Sequence, residues 1–139
     1  MLQFQAIRAV VFSYLSAIEE DLRDIILDDI QPDFNNIQIV SEARLDELKI
    51  LGINVDEISE VLFNLNFSEP WEILSANSNL LDTRISKLIM SYTKDLPDYI
   101  TLRNQVMHSR PLDASLIEKF YKFINTAKNM PDPFFSQLK

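Results

Sequence analysis

The segment Arg103-Asn104-Gln105-Val106-Met107-His108 holds the one histidine of the chain, five positions after an arginine and four after an asparagine. Histidine is the side chain whose ordinary pKa lets it give or take a proton near neutral pH, and a guanidinium is an always-charged phosphate ligand. Together these two types point to chemistry on a phosphodiester. On a helix Asn104 and His108 share a face, so Asn104 can hydrogen-bond or orient the imidazole. Arg103 and His108 stand about 140° apart around an ideal helix. Bringing them together takes a wrapped arginine stem, a distortion of the helix near Pro111, or the same motif from a second chain.

A length of 139 residues predicts one domain, and 47% apolar residues is enough for a core. With no cysteine and a single histidine, disulfides, thiolate metal sites and His-rich zinc sites are excluded. Nothing near the N-terminus has the pattern of a signal peptide, and no apolar run is long enough to span a bilayer, so a cytoplasmic protein with no membrane partner is expected. The net charge of −8 argues against general nucleic-acid binding, which depends on Lys and Arg at phosphates. The two halves differ, however: residues 1–70 carry 4 basic and 14 acidic side chains, and residues 71–139 carry 9 and 7. The motif lies in the more basic half. Arg84, Lys87, Lys94, Lys119 and Lys122 read mainly as members of mixed-sign solvated helix faces, while Arg103 and Arg110 are the favoured phosphate contacts.

Gly52 is the only glycine, and no alternating apolar/polar run is long enough for a sheet, so the elements that position the motif are predicted to be helices. A long first helix is expected from about Phe4 to Ile30, with Val11, Leu15, Ile18, Leu22 and Ile25 on its apolar stripe and Pro32 as its stop. Its length of about 40 Å exceeds what a small domain needs for its own core and hints at a partner. Residues 31–40 read as a loop. Ser41 caps a helix that ends at Gly52, Asn54 with Glu57 resembles a capping box for another, and Ser68 and Pro70 open a third carrying Trp71. A further helix is expected from Leu80 to Thr93. Pro97 opens the motif helix, Pro111 prevents its continuation, and His108 falls in its last turn, where a protonated imidazole is favoured. Asp113 caps a final helix over Leu116, Ile117, Phe120, Tyr121 and Ile124. Residues 1–130 are thus read as the helical domain and 131–139 as an exit segment or linker. Trp71, Phe120, Tyr121 and Phe123 read as core rather than base-stacking residues. Phe134 and Phe135 either pack back on the domain or dock on a neighbour.

At Arg103, Asn104 and His108 the sequence resembles the HEPN superfamily of all-α domains, whose signature is an arginine, four to six intervening residues and a histidine near a helix end. A polar residue often follows that arginine directly. The stretch from Leu102 to Leu112 reads like HEPN sequences on both flanks of the motif. The resemblance implies an all-α, up-and-down helical bundle in a single domain with a long N-terminal helix. It also implies a metal-independent endoribonuclease working as a homodimer, the two motif helices facing each other to form one composite site. His108 would be general base or acid, Arg103 would stabilise charge on the phosphorane, and Asn104 would position. No metal or cofactor is implied. Many HEPN members use an acidic residue from the first helix, for which Glu19 is the candidate; an i,i+4 ion pair with Arg23 is the other reading of Glu19. Members paired with a nucleotidyltransferase antitoxin carry a tyrosine two residues after the histidine, and here that residue is Arg110.

Two classes of function follow. One is a HEPN ribonuclease cutting RNA as the effector of a toxin-antitoxin or antiviral defence system, with a cognate antitoxin or a further fused domain as partner. The other is a catalytically inactive HEPN-like module that keeps the dimeric scaffold and binds a nucleotide or protein. The intact Arg, Asn and His favour the first, and the acidic surface favours the second.

Overall fold

The computed structural model describes residues 2–139, and the side chains from residue 5 onward. Every regular element among the described residues is helical, and the protein is all-α. The chain forms two compact units, one from Met1–Asp21 with Ser91–Lys139 and the other from Leu22–Met90.

The first unit carries the motif. Its part of α1 (Leu2–Ile25) buries Val11, Leu15 and Ile18, which recur at the three- and four-residue spacing of one helical face. In α7 (Leu96–Met107), Pro97 lies in the first turn, where its missing N–H leaves no helical bond unmade. Leu96, Tyr99, Leu102 and Val106 of α7 are buried, and so are Phe120, Phe123, Ile124 and Ala127 of α8 (Ala114–Lys128). Asp113 caps α8 by accepting the Ser115 N–H at 2.9 Å and the Leu116 N–H at 3.4 Å. The helices meet through aromatic rings: Tyr92 and Tyr99 lie 4.5 and 5.8 Å from Phe123, and Tyr99 lies 5.7 Å from Phe120. Phe120 and Phe123 are therefore core residues, as their helical spacing predicts. Lys119 of α8 bonds Asp98 of α7 at 2.6 Å, which pins the outer edge of the pair. The final residues also belong here. Phe135 and Leu138 are buried, and the carboxylate of Asp21 accepts the N–H groups of Gln137 and Leu138.

The second unit holds the remaining helices. Gln31 gives its N–H to the Ile26 carbonyl, so the chain after α1 widens into a π-helical turn over Ile26–Ile30, and a 3₁₀ turn at Gln31–Asp33 follows with Pro32 inside it. The segment predicted to be a loop contains a short helix, α2 (Asn36–Ile39), closed by a reciprocal capping box between Asn35 and Gln38. Ser41 caps α3 (Glu42–Ile50) as predicted. That helix closes with Gly52 at φ +85° and the Ile53 N–H bonded back to Leu48 O, the six-to-one closure that glycine favours. Asn54 does not cap a helix. Its side chain accepts the Asp56 N–H and its carbonyl the Glu57 N–H, a turn that delays α4 until Ile58–Phe63. In α5 (Ser68–Ala76) Trp71 is fully buried, and α6 (Thr83–Thr93) buries Ile85, Leu88 and Ile89 after a 3₁₀ turn at Ser78–Leu80.

Candidate functional site

The motif occupies the last two turns of α7 and the corner beyond it. His108 is the C-terminal cap, with its N–H bonded to Asn104 O at 3.0 Å. Ser109 then takes the left-handed conformation at φ +52°, and the Arg110 N–H returns to Gln105 O at 2.9 Å. This is the six-to-one closure used after α3, made here without glycine. The corner leaves the His108, Arg110 and Asn104 side chains exposed, and Met107 beside them is 48% exposed. Among the described residues no hydrogen bond joins the Asn104 and His108 side chains, although the four-residue spacing puts them on one helix face.

Arg103 points elsewhere. Its Nε donates to Oε1 of Glu19 at 3.2 Å, and both side chains are partly buried. The 140° of helical rotation thus separates Arg103 from His108 as the spacing predicts, and Arg103 faces α1 instead. Glu19, proposed either as an added acidic residue or as an i,i+4 partner of Arg23, gives its carboxylate to Arg103, while the Arg23 guanidinium lies 5.3 Å from the centre of the Phe63 ring. The pair is a single contact between partly exposed groups, so its contribution to stability is small, while it aims the guanidinium toward α1.

Sequence reasoning missed Arg8. From α1 its Nη1 donates to the carbonyls of Gln105 at 2.7 Å and Val106 at 3.3 Å, and its Nη2 donates to Arg110 O at 2.6 Å. The last carbonyls of a helix carry partial negative charge, so a planar guanidinium suits them electrostatically, and Gln105 O, which already accepts the Arg110 N–H, gains a second donor. Gln105 adds a second tie, its Oε1 accepting the Asp113 N–H at 3.1 Å across the corner. A signal for Arg8 did exist in the sequence: it precedes Glu19 by eleven residues, which is three helical turns to within about 20°, so both lie on one face of α1.

Three of the other basic residues named from the sequence have partners of opposite charge. Arg84 bonds Asp82, Lys119 bonds Asp98, and Lys122 lies 3.9 Å from Glu118. Mixed-sign faces account for them. No group of three or more His, Cys, Asp or Glu among the described residues could hold a metal ion, and no described helix is long and apolar enough to cross a membrane. The chain matches no family model, no curated protein and no solved structure.

Proposed function

We propose that the chain is a metal-independent endoribonuclease of the HEPN type, acting as a homodimer in which the motif helices of two copies make one site. The observation that carries this reading is the arrangement on α7: an exposed histidine at its C-terminal end, and five residues earlier an arginine oriented by Glu19. Cleavage of RNA through its own 2′-hydroxyl needs a proton-transfer group open to substrate and a cation near the phosphate. One imidazole takes the proton from the 2′-hydroxyl as that oxygen attacks phosphorus. The bond from phosphorus to the 5′-oxygen then breaks, and the leaving oxygen takes a proton from the second copy's imidazole, which is protonated at the start of the step. The products are a 2′,3′-cyclic phosphate and a free 5′-hydroxyl.

In this reading Arg103 stabilises charge on the non-bridging oxygens, Asn104 positions from the histidine's face, and exposed Arg110 holds a flanking phosphate. A second copy has apolar surface to cover in the same unit, where Ile7, Val10, Phe12 and Met107 are all exposed. The biological setting we assign is a toxin or antiviral defence effector in the cytoplasm, with an antitoxin or fused domain as restraint. The second reading, a catalytically inactive nucleotide- or protein-binding module, draws on the net charge of −8, which weakens general affinity for RNA.

Purified protein is expected to cut single-stranded RNA in EDTA and to leave 2′,3′-cyclic phosphate ends. Arg103→Ala and His108→Ala should each stop cleavage without changing the helical content. Equal cleavage by the wild type and both variants overturns the catalytic assignment, and nucleotide or RNA binding without cleavage transfers the protein to the second reading.

A further inference from the structure

From the three hydrogen bonds of its guanidinium, we infer that Arg8 is a positioning residue for the histidine corner, an inference that rests on the ribonuclease reading above. Its two terminal nitrogens bridge the carbonyl of Arg110, beyond the corner, to those of Gln105 and Val106, before it. His108 and Ser109 lie inside this clamp, and Ser109 holds a backbone conformation that side chains other than glycine adopt reluctantly. An outside tie therefore selects the one corner geometry in which His108 projects from the helix end and Arg110 follows it.

The same face of α1 acts at both ends of the motif. Glu19 orients the side chain of Arg103 through one carboxylate oxygen, and Arg8, three turns earlier, fixes the backbone that carries His108. The distance between the phosphate ligand and the proton-transfer group is set by α1 as much as by α7. This matters because the two groups diverge by helical rotation and have no direct bond to hold them in register.

Arginine chemistry makes the role separable from simple attraction of RNA. A lysine at position 8 keeps the positive charge but presents a single ammonium, which cannot span both sides of the corner as a planar fork does. The experiment measures kcat and KM for single-stranded RNA cleavage in EDTA with wild type, Arg8→Lys and Arg8→Ala, together with amide exchange at Arg110. In both variants kcat is expected to fall about tenfold to a hundredfold, the size of effect that small misplacement of a reacting group produces. KM for Arg8→Lys should stay near the wild-type value, and the Arg110 amide should exchange faster in both variants. An Arg8→Lys protein with wild-type kcat overturns the positioning role, and so does a loss confined to KM, which marks a phosphate contact. A wild-type protein that cleaves no RNA overturns the ribonuclease reading itself, and that outcome is distinct from an active wild type with an equally active lysine variant.

Discussion

Arg103 is paired with one residue by the sequence motif and with another by the fold. The histidine five residues later is its partner in the motif, yet its Nε bonds the carboxylate of Glu19. A pair of this exposure contributes roughly 0.2–1 kcal/mol to stability, while the orientation it gives the guanidinium acts directly on the proposed transition state. Glu19→Gln should therefore lower the rate of RNA cleavage markedly while shifting Tm little. A variant whose Tm falls in step with its activity marks Glu19 as structural only. The residue types of the candidate site could be read from the sequence because the chain has one histidine, with an arginine and an asparagine at helical spacing before it. Arg8 was not legible alone. Its importance lies in backbone carbonyls of a corner nearly a hundred residues away, and the sequence of a carbonyl carries no mark.

The elements differ in how openly their ends were written. Ser41 and Asp113 act through their side chains at a helix terminus, Pro97 through its ring and Gly52 through the left-handed backbone that its missing Cβ allows, and each stands where the sequence places it. Asn54 misled because the same carbonyl oxygen that caps a helix also closes a local turn, and the two uses look alike until the backbone is seen. The two helix ends with the same six-to-one closure make an internal comparison: Gly52 follows α3, whereas Ser109 follows α7. Ser109→Gly removes a left-handed strain of about 1 kcal/mol, part of it offset by the greater freedom of glycine in the unfolded chain. Tm should rise slightly with cleavage retained, and a lower Tm contradicts the corner as described. The π-helical turn offers a further test. Burial, then the charges of Asp28 and Asp82, hold the Asp29 carboxyl above its ordinary 3.8. A raised carboxyl favours the folded state when protonated and opposes it once ionised, so its contribution is lost as pH rises through the folded value. Asp29→Asn should accordingly raise Tm near neutral pH, with a gain that vanishes below the ordinary value of 3.8. An equal gain at both extremes rules out this electrostatic origin.

At the scale of the molecule, the all-α character follows from a chain with one glycine, helical apolar spacing and no alternating run. The division into two compact units has no such marker. Its boundaries fall at Asp21 and Met90, inside α1 and α6 rather than in loops, and no proline, glycine or change of composition distinguishes them. Within the first unit, an exposed histidine and an arginine held by Glu19 are, in the proposed reading, half of a phosphodiester-cleaving site, and Ile7, Val10, Phe12 and Met107 are exposed in the same unit. The direct measurement is the rate of single-stranded RNA cleavage per chain as protein concentration is varied, with the monomer and dimer fractions followed by sedimentation in the same buffer with EDTA. A site made by two copies predicts a rate per chain that climbs with the dimer fraction and then levels. A constant rate per chain down to concentrations where only monomer sediments, or no cleavage at any concentration, contradicts it.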